Sequence, residues 1–341
     1  MLYFNNDYDQ GTHPEILERL TKINFDHQVC YGMDPHSKHA GELIAQACGN
    51  KDAEIFFIAG GTQTNQTVIS SVLNNYECVI AAKTGHISLH EAGAIEYSGH
   101  KVQTLEQYNG KLRAEDIDEY MNLFVNDSSH EHMPQPAMVY ISHPTEYGTL
   151  YTKKELEDIS IVCDKYGLRL YLDGARMAYG LMAKNTDVTL NDIAKYCDVF
   201  YIGGTKIGCL FGEAVVFSKS KAPKHFVTSI KQHGAMLAKG WLAGVQFEVM
   251  FEDGLYFRAG QHAIDMAQKL SNLLVEKGYK LFVESPTNQI FVLLKDDEFK
   301  ALSEKIVFGF WEKPDKEHTV ARFVTSWATK EEDIQLLADV L

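Results

Sequence analysis

The sequence contains no block of basic residues, no C-x-x-C pair and no apolar run of the ~20 residues that a membrane-spanning helix needs. Because 46 acidic residues outnumber 32 basic ones, the formal charge is −14, which disfavours general binding to nucleic acids or anionic membranes. The first residues, MLYFNNDYDQG, lack the basic and apolar regions of a secretory signal. Scattered cysteines are typical of reduced thiols, so we expect a cytoplasmic protein. They are Cys30, Cys48, Cys78, Cys163, Cys197 and Cys209.

The periodicity of the chain predicts an α/β domain over much of its length. Between about residues 50 and 220, short apolar runs alternate with helical patterns, as expected for a largely parallel sheet that is covered on both faces. The predicted strands are Glu54–Ile58, Val79–Ala82, Met138–Ser142, Arg169–Asp173, Val199–Ile202 and Ala214–Phe217. The predicted helices are Thr67–Leu73, Ala114–Phe124, Lys153–Tyr166 and Asp192–Tyr196, the third with a capping box from Thr152 to Glu155.

The pattern changes after about residue 235, where apolar residues recur at helical spacing. They are Ala263, Met266, Ala267, Leu270, Leu273 and Leu274, and we expect their helix to end at Gly278. Strands are predicted at Lys280–Glu284, Gln289–Lys295, Lys305–Phe310 and Arg322–Trp327, before a final helix from Lys330. The length of 341 residues favours two domains. We therefore predict a large domain over residues 1–240, with an N-terminal arm over 1–12, and a smaller α+β domain over 241–341.

Three short motifs carry the chemistry. The first is Gly60-Gly61-Thr62, where a predicted strand meets two glycines before hydroxyl and amide residues. Free N–H groups at a helix start bind phosphate, and glycine allows a close approach, although an ordinary glycine turn would look the same. The motif lacks the Lys-Ser/Thr of a P-loop and the G-x-G-x-x-G of a dinucleotide site.

The second motif is LRLYLDGAR, which places Asp173 at the carboxyl end of a predicted strand and Arg176 in the following turn. Ligands of open α/β sheets bind at this edge. The alternative is that Asp173 caps a helix and Arg176 pairs with a surface acid. Both interpretations remain open from the residues alone.

The third motif places Lys206 among glycines and apolar residues after another predicted strand. An apolar environment lowers the pKa of a lysine and favours its reactive neutral amine, although a solvated surface lysine is the alternative. Together the motifs supply what a pyridoxal-phosphate site needs. Lys206 would hold the aldehyde, Asp173 would keep the pyridine nitrogen protonated, and the turn at Gly61-Thr62 would hold the phosphate.

The chain resembles the fold type I, aspartate aminotransferase-like pyridoxal-phosphate enzymes, and within them the L-threonine aldolase group of β-eliminating lyases. The resemblance runs nearly end to end. Its motifs are Tyr31-Gly32-Met33-Asp34, Gly61-Thr62-Gln63-Thr64-Asn65, His86-Ile87, Glu91-Ala92-Gly93, Leu172-Asp173-Gly174-Ala175-Arg176, Thr205-Lys206 and Arg322-Phe323-Val324-Thr325.

The resemblance implies a role for each matching residue. His86 would stack on the cofactor ring and act as acid or base at the substrate hydroxyl. A metal pair of His86 and His90 is the alternative, but no H-E-x-x-H motif supports it. Arg322 would bind the substrate α-carboxylate, with Arg176 as the second cation. The implied cofactor-binding set is Gly61, Thr62, Gln63, His86, Asp173, Arg176, Thr205, Lys206, Lys231 and Lys239, with Tyr31 near the substrate side chain.

Two positions, Asn6 and Glu146, depart from the family pattern, and two lysines match it. Asn6 stands where many relatives have a serine that helps to hold the carboxylate. Glu146 stands where relatives have a histidine that contacts the substrate hydroxyl. Lys231 and Lys239 lie where relatives have basic residues that reach a phosphate, including that of a neighbouring subunit, although both are equally typical of a solvated surface.

The resulting expectation is a pyridoxal-phosphate aldolase that cleaves L-threonine, L-allo-threonine or a related β-hydroxy-α-amino acid to glycine and an aldehyde. A β-eliminating lyase or aminotransferase on another small amino acid is the first alternative, because the fold and the lysine are shared. A non-catalytic cofactor-binding protein is the second. The resemblance also implies a homodimer or homotetramer that acts on a small amino acid and binds no nucleic acid, membrane or metal.

Overall fold

The computed structural model describes all 341 residues as thirteen strands and fourteen α-helices. The strands are β1 (Leu2–Tyr3), β2 (Glu54–Ile58), β3 (Glu77–Ala82), β4 (Val102–Leu105), β5 (Gln135–Ser142), β6 (Arg169–Asp173), β7 (Val199–Gly203), β8 (Glu213–Phe217), β9 (Lys280–Val283), β10 (Gln289–Lys295), β11 (Ile306–Val307), β12 (Gly309–Glu312) and β13 (His318–Val324). The helices are α1 (Pro14–Lys22), α2 (Pro35–Ala47), α3 (Gly61–Val72), α4 (His86–Leu89), α5 (Ala94–Tyr97), α6 (Ala114–Asn126), α7 (Lys153–Tyr166), α8 (Met177–Leu181), α9 (Leu190–Tyr196), α10 (Phe226–Gln232), α11 (Trp241–Glu252), α12 (Leu255–Glu276), α13 (Asp296–Ser303) and α14 (Glu331–Ala338).

Seven strands form the large sheet in the order β2-β8-β7-β6-β5-β3-β4. The pairs from β7 through to β4 are parallel, whereas β8 runs antiparallel to both of its neighbours, β2 and β7. The predicted α/β fold with a mainly parallel sheet is therefore confirmed. The six predicted strands are all present; β2 and β6 have the predicted bounds, and the other four extend slightly beyond them.

Both faces of the large sheet are covered, which explains the continuous apolar runs of its strands. Along β5, Val139 and Ile141 join a core cluster of 44 residues, whereas Met138 and Tyr140 join a second cluster of 18 on the opposite face. The alternation follows from the two-residue period of a strand. Loops that leave the sheet at its carboxyl edge are therefore anchored from two sides.

The C-terminal part is built on a four-stranded antiparallel sheet, in the order β12-β13-β10-β9. The N-terminal arm belongs to this layer, because β1 pairs with β11 and Phe4 lies in the same core cluster as Leu270 of α12. α12 also contributes Ala259 and Ala263 to the large core, so it spans the two parts. The division between residues 240 and 241 stays a prediction.

Two predicted strands of the C-terminal part are wrong in their extent. Lys305–Phe310 is two strands, since β11 pairs with the arm while β12 pairs with β13 in a different sheet. Arg322–Trp327 is the end of β13 and a turn, because Thr325 bonds to the backbone oxygen of Ala263 and the chain then folds back at Ser326.

The helices show what the periodicity missed. α3 begins at Gly61, six residues before the predicted start at Thr67, because small and polar residues in its first turns give no apolar signal. The capping box that begins α7 is confirmed at Thr152 and Glu155. The predicted helix that contains Ala263 and Leu274 is confirmed as α12, which ends just before Gly278. The helical pattern after residue 235 also includes α11, which Gly254 separates from α12 in a left-handed conformation at φ 69°. No helix combines the length and apolar character needed to cross a membrane.

Candidate active site

The carboxyl ends of five strands meet at one edge of the large sheet around a cavity of about 260 Å³. This is the edge at which open α/β sheets bind ligands. Eight of the predicted site residues line the cavity. They are Gly61, Thr62, His86, Glu146, Asp173, Arg176, Thr205 and Lys206.

Asp173 is held as a buried carboxylate at the end of β6. It accepts hydrogen bonds from the hydroxyls of Tyr140 and Tyr201, from the side-chain amide of Asn65 at 3.1 Å and from the backbone N–H of Ala175 at 3.0 Å. Burial raises the pKa of Asp173, but the charge of His86 and these donors outweigh it and hold the pKa below its ordinary value. No basic side chain forms an ion pair with this charge, which is therefore available to a cationic ligand.

Lys206 enters the same cavity from the turn after β7. Burial and the charge of Arg176 lower the pKa of its amine, against the opposing effects of Asp7, Asp173 and Glu213. The hydroxyl of Tyr179 donates to the Lys206 backbone oxygen at 2.5 Å and fixes the turn. The amine itself pairs with no carboxylate, so it is free to react.

The third part of the cavity is the start of α3. Its first intrahelical bond runs from the N–H of Thr64 to the oxygen of Gly60, so the three preceding N–H groups have no intrahelical partner. A Cβ on Gly60 would meet nothing within 4 Å, so this cradle is open. A phosphate fits such a helix start.

Together these three features fit pyridoxal phosphate. An ionised carboxylate without a basic partner matches the protonated ring nitrogen, an amine without a carboxylate partner matches the aldehyde, and the helix start matches the phosphate.

His86 begins α4 and is tied to the Asp173 network through buried side chains. Its Nδ1 lies 2.7 Å from Glu91 Oε1, which also accepts from the Asn65 amide at 2.6 Å. The side chain of Glu91 is fully buried, whereas that of His86 is 36% exposed. In the neutral form of the ring, a carboxylate at Nδ1 makes that nitrogen the donor and leaves Nε2 as the acceptor. His86 lies 5.7 Å from His90 between ring centroids, and no group of three or more metal-ligating residues is present.

Glu146 lies beside His86 in the wall of the cavity. Its Oε1 accepts the backbone N–H of His86 at 2.9 Å and the Ser142 hydroxyl at 2.6 Å, while its buried Oε2 has no partner. Burial raises the pKa of Glu146, and the nearby charge of Asp173 adds to the effect. The cavity therefore has an acid–base group in its wall beside His86.

The two predicted arginines differ in position and in partners, because Arg176 lines the cavity whereas Arg322 lies outside its lining. Arg176 binds Asp7 through both Nε and Nη2, at 2.8 and 2.9 Å. Arg322 lies over the Trp311 ring and bonds only to the neutral oxygens of Gln289 and Asn5, while its Nε has no partner. Burial and the charge of Arg176 lower the pKa of Arg322 to about 10. One positive charge is thus uncompensated, which suits an anionic ligand.

The remaining predicted residues do not reach the cavity of a single chain. Lys231 lies 4.9 Å from the Tyr31 ring centroid, both side chains are exposed, and the Gln63 amide bonds to the backbone of His233. Lys239 is exposed beside them, and Asn6 bonds to the backbone N–H of Tyr8. An adjoining apolar groove of about 990 Å³ includes Tyr31 in its lining.

Six residues of the site received no predicted role from the sequence. They are Asp7, Asn65, Glu91, Tyr140, Tyr201 and Glu213, each buried and bonded to a predicted residue or to its turn. Asn65 and Glu91 stand in the family motifs and Glu213 begins β8, so these positions carry a signal that could have identified three of the six.

The chain is similar to known proteins over most of its length. A family model described as Beta-eliminating lyase matches residues 7–297. A low-specificity L-threonine aldolase from a Pseudomonas species is 31% identical, over 98% of this chain and 95% of the relative. The solved structure of Leishmania major threonine aldolase is 43% identical with a TM-score of 0.95, over 100% of this chain and 98% of that chain. An aspartate aminotransferase mutant of Thermus thermophilus shares the fold, with 14% identity and a TM-score of 0.73 over 99% of this chain and 94% of that chain.

Proposed function

This chain belongs to the beta-eliminating lyase family, and we propose that it is a pyridoxal-phosphate-dependent aldolase that cleaves L-threonine, L-allo-threonine or a related β-hydroxy-α-amino acid to glycine and an aldehyde. The observation that carries the proposal is the meeting of a free amine, an ionised buried carboxylate and an open helix start in one cavity. Two relatives that are 31% and 43% identical to this chain over nearly its whole length are named threonine aldolases.

The chain's own residues would hold the cofactor at three points. Lys206 binds its aldehyde, Asp173 keeps a proton on its ring nitrogen, and the N–H groups at the start of α3 bind its phosphate, with Gln63 and Thr205 as neighbours. His86 would lie against its ring. When bound, pyridoxal phosphate supplies an electron sink that stabilises negative charge at the α-carbon of an amino acid.

The substrate would be oriented by the two ends of the cavity. Arg322 binds the α-carboxylate because it is the cation without a counter-charge, and Arg176, held by Asp7, adds a second positive charge. Asn6 lies on the same arm and would contribute a polar group. His86 and Glu146 lie at the other end, where they receive the proton of the β-hydroxyl as the Cα–Cβ bond breaks.

We further propose that a second copy of the chain completes the site in a homodimer or homotetramer. Tyr31, Lys231 and Lys239 lie outside the cavity on one exposed face, beside an apolar groove that a folded monomer rarely leaves open. On a second copy, the two lysines would reach the phosphate and Tyr31 the substrate side chain. The six free thiols support a reducing, cytoplasmic location.

Incubation with pyridoxal phosphate and L-threonine tests the proposal. We expect glycine and acetaldehyde in equal amounts, and the same glycine product from allo-threonine or phenylserine. Pyruvate and ammonia from serine, or amino transfer to a keto acid, would instead indicate the elimination or transamination chemistry of related enzymes. Absence of glycine from all three β-hydroxy amino acids would refute the aldolase.

A further inference from the structure

Glu213 is a buried carboxyl group between two parts of the active site. As the first residue of β8, it pairs in register with Gly203 on one side and with Ile58 on the other. Gly203 leads into the turn that carries Lys206, and Ile58 leads into the start of α3. The side chain of Glu213 lines the same cavity as Lys206, and Glu213 is only 4% exposed.

Both oxygens of Glu213 bind the turn that precedes Lys206. Oε2 accepts the backbone N–H of Gly204 at 3.0 Å, and Oε1 accepts the hydroxyl of Thr205 at 2.9 Å. The Thr205 oxygen in turn accepts the N–H of Gly212 at 3.1 Å. The carboxylate therefore fixes the two residues before Lys206 in place.

No basic side chain forms an ion pair with this buried carboxylate. Six titratable groups interact electrostatically with Glu213, and only one of them, Lys206, is a base. They are Lys206, Asp173, Tyr171, Tyr201, Cys209 and Tyr256. A buried carboxylate without a cation is costly, so an ammonium group in the same cavity is its natural counter-charge. Burial raises the pKa of Glu213 and lowers that of Lys206, while the charge of each group opposes the effect of burial on the other.

We propose that Glu213 is a positioning residue whose carboxylate fixes the Lys206 turn and, as a negative charge without a paired cation in the same cavity, favours the protonated form of the Lys206 amine. Lys206 can be present as an ammonium group or as a neutral amine, and loss of the Glu213 charge would favour the neutral amine. The inference rests on the proposed cofactor-binding role of Lys206, for which both forms are needed.

The reactivity of Lys206 toward acetic anhydride, followed by mass spectrometry over a range of pH, tests the inference in protein freed of cofactor. Only the neutral amine reacts. In Glu213→Gln the negative charge is lost, so we expect the midpoint of Lys206 labelling to move to lower pH by about one unit, the size of effect that one charge exerts in a protein interior. The pH dependence of pyridoxal-phosphate capture, measured by visible absorbance, should move in the same direction.

Three further variants separate charge from structure. Glu213→Asp keeps the charge, so its midpoint should stay near that of the wild type. Thr205→Ala removes a donor to the carboxylate, favours protonated Glu213 and should also move the midpoint to lower pH. Glu248→Gln removes a buried carboxylate outside the cavity, which Arg19 and His39 bind, and should leave the midpoint unchanged.

An unchanged or higher midpoint in Glu213→Gln would overturn the inference. If that variant does not fold, an unchanged midpoint in Thr205→Ala has the same meaning. Failure of the proposed function would look different, because the wild type would then capture no cofactor at Lys206 whatever the labelling midpoints.

Discussion

Loss of the Tyr140 hydroxyl should destabilise the protein in a way that depends on pH. Tyr140 is buried and donates to Asp173 Oδ2, so Tyr140→Phe removes one donor from a buried carboxylate while it keeps the ring. Hydrogen bonds to charged groups contribute about 1.5–3 kcal/mol. We expect the free energy of unfolding near pH 7 to fall by that amount.

The sign of the pH dependence follows from the Asp173 carboxyl. Because its pKa is lowered on folding, its ionisation stabilises the protein above the unfolded pKa of about 4, and this contribution is lost as the pH falls through the folded pKa. Tyr140→Phe raises the pKa of Asp173 in the folded protein and so reduces the contribution of its ionisation to stability. The stability gap between variant and wild type should therefore narrow as the pH falls through the folded pKa of Asp173 in the variant toward that in the wild type.

Tyr171→Phe is the matched control. Tyr171 is equally buried and packs against Tyr140, but its hydroxyl donates to the neutral amide oxygen of Asn65 at 2.7 Å. We expect a loss of only about 0.5–1.5 kcal/mol that does not change with pH. Urea unfolding at one protein concentration measures both variants. Equal losses with the same pH dependence would refute the assignment of Asp173 as a charge held by its tyrosine donors.

Three other substitutions test the two ends of the cavity. Asp7→Asn leaves Arg176 without its buried counter-charge and should lower the free energy of unfolding in urea by about 3–5 kcal/mol. Asp9 lies exposed on the same arm, so Asp9→Asn should change this free energy by less than about 0.5 kcal/mol. Equal effects of the two substitutions would contradict the buried Asp7–Arg176 pair. Arg322→Lys removes the planar guanidinium group and should raise the KM for L-threonine about tenfold or more, without loss of the bound-cofactor absorbance. An unchanged KM would show that the substrate carboxylate binds elsewhere. Glu146→Gln should lower kcat/KM for L-threonine about 100-fold, because cleavage needs a proton acceptor at the substrate hydroxyl. Exchange of the glycine α-proton, measured by NMR, needs no such acceptor and should be retained. Parallel loss of both rates would indicate a structural role for Glu146.

The cavity residues that the sequence predicts are those that follow strands. Asp173 and Lys206 end or follow β6 and β7, and their positions at one sheet edge follow from parallel strand geometry alone. The resemblance to a family was needed for His86 and Arg322, because a short helix and a strand end give no local reason to assign either residue to the cavity.

The partners of these residues could not be predicted because they are distant in the sequence. Asn65 reaches Asp173 from 108 residues away, and Asp7 reaches Arg176 from 169 residues away. The arm that carries Asp7 has weak periodicity of its own, and its pairing with β11, the burial of Phe4 and the Asp7–Arg176 pair fix it. Such contacts depend on the tertiary fold rather than on local propensity.

Reduction of the cofactor-loaded protein with borohydride, followed by peptide mass spectrometry, identifies the lysine that holds pyridoxal phosphate. We expect a single stable pyridoxyl adduct on the peptide that contains Lys206, with loss of the visible absorbance and of threonine cleavage. Lys206→Ala should carry no such adduct. An adduct on another lysine, or a colourless folded protein that takes up no pyridoxal phosphate, would contradict this expectation.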